Sequence, residues 1–325
     1  MKEKLLGQAG LRVSELSFGS LIFSKRQGNL TVEEGAAVVR KGFEMGINLF
    51  DTATSYGTQA HLREGLKGLG DKVMVSTKTH AKTLDLAKKD FETSLLELGR
   101  EYIDIYHLHL VEDAADLVAR REVIDCLLEY KERGLIRAIG ASVHKVKGVK
   151  AVLAEKDIDV LFTVLNSRGL GIRDGSVDDM IDVCRKAHAQ GKGIMAMKPL
   201  GGGNLRKSSK EAFDFLRNLD LVDSVCVGMK STAEVEMNVR LFEDLPISSE
   251  IQSQIETVAR YLRINRSCKG CGKCVDACAQ GFLTIDYSLA DKSKGKEGHA
   301  IVDREQCILC SYCADVCPQF AIRVV

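Results

Sequence analysis

The stretch Gly46-Ile47-Asn48-Leu49-Phe50-Asp51-Thr52-Ala53-Thr54-Ser55-Tyr56-Gly57 reads as a buried strand that ends on a charge and runs into a polar loop. Before it, residues 32–45 carry apolar side chains at helical spacing and stop at Gly46, a residue that tolerates the left-handed turn ending many helices. Helix, glycine, apolar strand and polar loop form a unit that recurs along the chain. Outward from this stretch, strands read near residues 16–19, 47–51, 73–78, 103–109, 136–142, 160–164, 193–198 and 224–228. Helical segments such as 32–45, 84–98, 114–132 and 176–190 lie between them, several ending at Gly46, Gly99, Gly134 and Gly191. An opening hairpin pairs residues 4–6 with 11–13. Eight alternating units predict a parallel (β/α)8 barrel over residues 1–262, with its active site at the C-terminal ends of the strands. A last helix, residues 249–262, leads into a different composition in residues 263–325.

Eight of the eleven cysteines fall in that tail. They form two runs, Cys268-x2-Cys271-x2-Cys274-x3-Cys278 and Cys307-x2-Cys310-x2-Cys313-x3-Cys317-Pro318, each cysteine matched 39 positions later. This is the spacing of bacterial ferredoxins, in which three close thiolates hold one cluster and the fourth reaches the other. The expected cofactors are two [4Fe–4S] clusters, one on Cys268, Cys271, Cys274 and Cys317, the other on Cys307, Cys310, Cys313 and Cys278. Ala279 stands where the second run has Pro318, which affects a turn and no ligand. The competing assignment, two four-cysteine zinc sites, fits less well, because zinc sites usually come as two separated pairs. Strand-like segments 282–285 and 321–324 are expected to pair the two halves of a small α+β ferredoxin-like domain, with a charged loop at residues 291–298 between the runs. Cys126, Cys184 and Cys226 sit in apolar patterns and read as buried small hydrophobes.

Composition narrows the function classes. With 46 basic against 45 acidic residues, nothing favours nucleic acid or an anionic membrane surface as partner. No apolar run approaches the roughly 20 residues of a membrane span. The charged start, Met1-Lys2-Glu3-Lys4, reads as that of a cytoplasmic protein, where paired thiols are expected to bind metal rather than form disulfides.

Four polar residues close successive strands or their loops: Asp51, Tyr56, Lys78 and His109. Singly each has an ordinary explanation: Asp51 as a turn cap, Lys78 as a snorkelling amine, His109 as a satisfied core histidine. Together, the segments 46–57, Val75-Ser76-Thr77-Lys78, Tyr102-Ile103-Asp104-Ile105-Tyr106-His107-Leu108-His109 and residues 134–142 resemble the aldo-keto reductase family across nearly all of residues 1–262. The resemblance implies interconversion of a carbonyl and an alcohol by hydride transfer with NADP or NAD. In that scheme Tyr56 donates the proton, and Lys78 lowers its pKa by favouring phenolate. Asp51 holds Lys78 charged, and His109 orients the substrate oxygen. His107, one layer down, is expected in the barrel interior.

The resemblance also implies cofactor contacts at Ser142, Asn166, Met197, Lys198, Gly228, Lys230 and Asn238. Here the chain departs from the family pattern. Val143 replaces a common asparagine, Met197 a stacking aromatic, and Glu234 a frequent arginine, so a 2′-phosphate would meet an anion unless Lys230 or Lys198 compensates. Gly201-Gly202-Gly203 offers either a pyrophosphate approach or a plain loop. Two other functions stay open: an electron-transfer or redox-sensing protein that docks a redox partner, and cluster-fed reduction of a barrel-bound substrate without nicotinamide.

Overall fold

The computed structural model describes residues 1–25 and 27–325. Strands β1 (Glu3–Leu5) and β2 (Arg12–Ser14) form the expected hairpin. Leu6, Leu11 and Val13 beside it pack with the inward residues Leu49, Ile105, Val160 and Met195. The hairpin therefore plugs the barrel floor, and Gln8 N–H donates to Gly191 O (2.8 Å) below the start of a strand.

The barrel strands are β3 (Leu16–Gly19), β4 (Leu49–Asp51), β5 (Met74–Thr79), β6 (Ile103–Val111), β7 (Ile136–Val143), β8 (Val160–Val164), β9 (Gly193–Met197) and β10 (Ser224–Val227). They close in chain order, all parallel, β10 pairing with β3. Around them lie α1 (Val32–Glu44), α2 (Gln59–Gly65), α3 (Leu84–Leu98), α4 (Ala114–Ala119), α5 (Arg121–Glu132), α6 (Val146–Ala154), α7 (Val177–Ala189), α8 (Ser209–Arg217), α9 (Thr232–Phe242) and α10 (Ser249–Glu256). Helix starts follow local chemistry: Thr31 and Glu34 close a reciprocal cap on α1, and Ser176 with Asp179 does the same on α7. The strands' outer faces and the helices' inner faces form one core, as a barrel buried on both sides requires. Cys126, Cys184 and Cys226 are all buried in it or in the barrel interior.

Two helical expectations change. The segment 114–132 is two helices, broken at Arg120, whose side chain turns inward to Asp116 and to the carbonyl of His109. The last helix ends at Glu256, and Leu262 already belongs to a strand, β11 (Leu262–Ile264), of the tail module.

That module contains α11 (Lys273–Asp276), β12 (Leu283–Asp286), β13 (His299–Val302), α12 (Tyr312–Asp315) and β14 (Ile322–Val324). The strands following the two cysteine runs do not pair with each other, as the sequence had suggested. β11 pairs with β14 and β12 with β13, both antiparallel. Each strand entering one half thus pairs with the strand leaving the other, the same crossing that the cysteine spacing implies. The repeat extends to the backbone: Gly270, Gly272 and Gly281 have positive φ, and so do their counterparts 39 positions on, Leu309, Ser311 and Phe320. Among the described residues no helix is long and apolar enough to cross a membrane.

Candidate active site and cluster cavities

Asp51 ends β4 opposite Ser76 of the neighbouring β5, and Lys78, two places beyond Ser76, faces the same way, so the side chains of Asp51 and Lys78 meet inside the barrel mouth. Lys78 is 1 % exposed and Asp51 4 %. The ammonium contacts Asp51 Oδ1 and donates to Thr52 O (2.7 Å). Ser76 Oγ donates to the same carboxylate oxygen (2.6 Å), and His107 Nε2 lies 3.0 Å from Ser76 Oγ. His107 is therefore an interior residue under the site, as its position on the strand implied. Burial pushes the Asp51 carboxyl upward while contact with Lys78 pulls it down.

Tyr56 sits on a single turn, Thr54–Tyr56, closed by Gly57 at φ 66°. Thr54 Oγ1 donates to Lys78 O (3.1 Å), tying the turn to β5. The ring lies with its centroid 5.5 Å from Lys78 Nζ and edge-on to His109, centroids 5.7 Å apart. His109 is aimed by a local irregularity: the β6–β7 register shifts between Leu108 and Val111, and Leu110 adopts φ 57°. Ser142 Oγ accepts the freed Leu110 N–H (2.9 Å), and Arg120 holds the His109 carbonyl. His80, which the sequence reading passed over, stacks on His109 at 4.0 Å. Burial, then the Lys78 charge, holds His109 far below the usual imidazole range, so the ring is neutral; its Nδ1 is buried with no partner.

The four tetrad residues are thus together, and a further cation faces the phenol. Burial raises the Tyr56 phenol well above its usual range, and the Asp51 charge raises it further. The opposing positive charge comes from Arg323 on β14 of the tail module.

The expected cofactor contacts divide. Ser142 lies beside the tetrad, and Asn238 Oδ1 is buried with no partner, so both have valence for a ligand. Met197 lines the interior, and an added Cβ on Gly228 would press on Ile22 at 3.3 Å. Asn166 is spent on its own loop: its amide donates to Leu170 O (2.9 Å) and Lys198 O (3.2 Å), and its oxygen accepts from the amides of Arg168 and Leu170. At the start of α9, Glu234 accepts from Lys230 N (2.8 Å) and pairs with Arg260 (2.6 Å), while Lys230 Nζ donates to Ala259 O (3.1 Å). Of the two lysines, Lys230 is turned to the linker, and Lys198 Nζ lies 2.8 Å from His144 Nε2.

The Gly201–Gly203 turn seats the tail module. A Cβ on Gly203 would come within 2.2 Å of Val324 O, and one on Gly202 within 3.1 Å of the Phe320 ring. Asn204 Nδ2 donates to Ile322 O (3.2 Å). Phe320 packs on Leu170 and Leu205 at the barrel mouth. It does so from φ 47°, where the other half of the repeat has Gly281; a non-glycine residue there costs about 1–2 kcal/mol.

The tail module has two cavities, about 340 and 370 Å³ counting their open sides. Cys268, Cys271, Cys274 and Cys317 line the first; Cys278, Cys307, Cys310 and Cys313 line the second. The amides of Ala300 and Ala321 donate to Cys268 Sγ (3.4 Å) and Cys317 Sγ (3.3 Å). Among the described residues no three His, Cys, Asp or Glu side chains converge on a single-ion site. Four thiols spaced around a cavity suit a cluster, and N–H donors to sulfur are the contacts that tune one.

The sequence profile of the Aldo/keto reductase family matches residues 15–220, and that of a 4Fe-4S dicluster domain matches residues 267–321. The chain belongs to the aldo/keto reductase family. L-galactose dehydrogenase of Arabidopsis thaliana is 26 % identical over 300 residues, 78 % of this chain and 93 % of that protein. L-glyceraldehyde 3-phosphate reductase of Escherichia coli K12 is 23 % identical over 324 residues, 79 % and 92 % of the two chains. Among solved structures, an aldo-keto reductase of Bacillus halodurans in its holo form superposes with TM-score 0.64 at 22 % identity, covering 80 % of this chain and 96 % of that one. This structural likeness bears on the fold. The chain is thus an aldo/keto reductase barrel continued by an iron–sulfur module at its C-terminal end.

Proposed function

We propose that this protein interconverts a small carbonyl compound and its alcohol at Tyr56, Lys78, Asp51 and His109, using a nicotinamide donor, and that the tail module holds two [4Fe–4S] clusters in the crossed arrangement given above. The observation that carries the reading is the buried Lys78 ammonium, fixed by Asp51 and Thr52 O within 5.5 Å of the Tyr56 ring centre.

A bound nicotinamide supplies the hydride; Ser142 and Asn238 are the residues with free polar valence to hold it. The remaining chemistry is this chain's own. A phenol held above its usual range keeps its proton in the resting site and gives it up only as the carbonyl oxygen gains negative charge and becomes a stronger base. Lys78 and Arg323 then stabilise the phenolate, and the neutral His109 imidazole offers a hydrogen bond that orients the carbonyl oxygen. The donor is NADH or NADPH: Glu234 stands where the family commonly has arginine, and Arg260 is paired with it.

The clusters are assigned no part in hydride transfer. Each exchanges one electron, whereas a hydride carries two. Cys271 and Cys310 are exposed, which favours a redox partner protein docking on the module as the clusters' counterpart.

The test uses anaerobically isolated, cluster-replete protein and measures NADH- and NADPH-dependent reduction of benzaldehyde. Tyr56→Phe is expected to lower kcat at least 100-fold with the visible cluster absorbance unchanged. Undiminished turnover in that variant sinks the assignment.

A further inference from the structure

Arg323 and Lys198 are unmatched cations at the mouth of the site. The Arg323 guanidinium lies 5.2 Å, and the Lys198 ammonium 5.5 Å, from the centre of the same Phe320 ring. Among the described residues neither has a carboxylate within 4 Å. Lys198 Nζ reaches only His144 Nε2 and the Met197 sulfur. Arg323 Nε is buried with no partner. Nearby, Arg173 is tied loosely to Glu112 at the rim (3.6 Å). Gathering positive groups without counter-charge is unfavourable, and burial with the neighbouring Arg323 and Arg173 charges holds Lys198 well below the usual amine range. Two backbones are distorted in placing this group, Lys198 at φ 58° and Phe320 at φ 47°.

A cluster is not the missing counter-charge. Side chains alternate along a strand. Ile322 lines the cavity that holds Cys317, so its neighbour Arg323 projects from the opposite face of β14, toward Gly202 of the barrel.

We propose that Arg323, supplied by the iron–sulfur module, forms with Lys198 an anion subsite of the barrel, and that the physiological substrate is a carbonyl compound bearing a carboxylate or phosphate. The proposal rests on the carbonyl-oxidoreductase reading and gives it a substrate class. It also gives the module a part in catalysis that requires no electron transfer: the module completes the substrate pocket. An anion at this place has a second source, the pyrophosphate of the dinucleotide, because Arg323 lies against the Gly201–Gly203 turn.

The experiment compares 4-carboxybenzaldehyde with benzaldehyde as substrates of the full-length holoprotein and its Arg323→Gln and Arg323→Lys variants, with NADH varied independently. Calorimetric binding of 4-(hydroxymethyl)benzoate and benzyl alcohol runs beside it. Arg323→Gln is expected to raise KM for 4-carboxybenzaldehyde and weaken 4-(hydroxymethyl)benzoate roughly ten- to a hundred-fold. KM for NADH and for benzaldehyde, benzyl alcohol binding and cluster absorbance stay as they were, and because Arg323 also faces Tyr56 any fall in kcat is shared by the two aldehydes. Arg323→Lys falls between, keeping charge but losing the planar fork. Equal changes in KM for both aldehydes, or a rise confined to the KM of NADH, overturn the proposal, the latter assigning the cations to the cofactor. If neither aldehyde turns over, an Arg323-dependent binding of 4-(hydroxymethyl)benzoate still supports the anion subsite while the carbonyl-reductase reading fails.

Discussion

Replacing Gly203 by alanine should unseat the end of the chain from the barrel. Gly203 has φ 86°, and a Cβ built on it would sit 2.2 Å from Val324 O and 3.1 Å from Val324 C. Ordinary contact starts near 3.4 Å, so β14 must retreat by about 1 Å, and the neighbouring Asn204 to Ile322 O bond stretches with it. Gly134→Ala is the matched control: φ is 73°, yet nothing lies within 4 Å of the new atom. Both variants carry the same left-handed strain of about 1–2 kcal/mol, and the difference between them is the overpacking at β14, roughly 1–3 kcal/mol. Amide hydrogen exchange followed by mass spectrometry reads this locally. In Gly203→Ala the amides that join β11 to β14 and Tyr261 to Val325 should exchange roughly 5- to 150-fold faster than in Gly134→Ala. The cysteine-lined cavities' visible absorbance should stay. Equal exchange in the two variants would refute the claim that this turn seats the module.

Other consequences follow from the same contacts. Lys78→Met leaves the Asp51 carboxylate buried without its cation and should cost about 3–5 kcal/mol in urea denaturation; adding Asp51→Leu should recover most of that, and a single-variant cost below 1 kcal/mol would contradict the burial. His107, His109 and His144 are all held below the usual imidazole range by burial. The unfolded chain therefore binds more protons than the folded one below about pH 6.5. Their stabilising contribution is complete above that pH and declines as the pH falls, and Tm measured from pH 7.5 to 5 should fall less steeply in His144→Gln. Cys271→Ala combined with Cys317→Ala should retain about half the iron of the unaltered protein, because both thiols line one cavity; loss of nearly all the iron would indicate that the fourth cysteine stays with its own run.

How much of this was legible in the sequence depends on distance along the chain. Strand β8 and helix α3 fall where periodicity put them, because each is a local pattern bounded by its own stop signals. The meeting of Lys78 with Asp51 was implied by the family resemblance, and the register of β4 on β5 brings it about. The cysteine runs carried their pairing in a repeat that the backbone φ values repeat in turn. What periodicity cannot supply is contact between segments far apart in sequence. Phe320 and Arg323 read as the tail of a small domain, and only the fold brings them onto Gly202 and into the field of Tyr56. The role of Arg120 was hidden for a similar reason: its bonds to Asp116 and to the His109 carbonyl break a helix whose apolar pattern runs straight through it. Asn166 shows the reverse, a residue whose family position suggested a ligand contact and whose side chain is engaged in four hydrogen bonds, three to its own loop and one to Lys198 O. The strand pairing β11–β14 and β12–β13 was missed because the helix was read on to residue 262, where β11 begins, although the 39-residue offset that relates the cysteines also relates β12 to β14.

The central claim, that the barrel reduces a carbonyl by hydride transfer while the clusters stand apart from that step, is tested most directly by isotope tracing. Anaerobic, cluster-replete protein is given NADH deuterated at the transferable position and 4-carboxybenzaldehyde, and the alcohol product is analysed by NMR. Deuterium on the carbinol carbon is the predicted result. An unlabelled carbinol carbon in ordinary water, with label appearing there when the solvent is deuterium oxide, would show that electrons and protons arrive separately and would contradict the account.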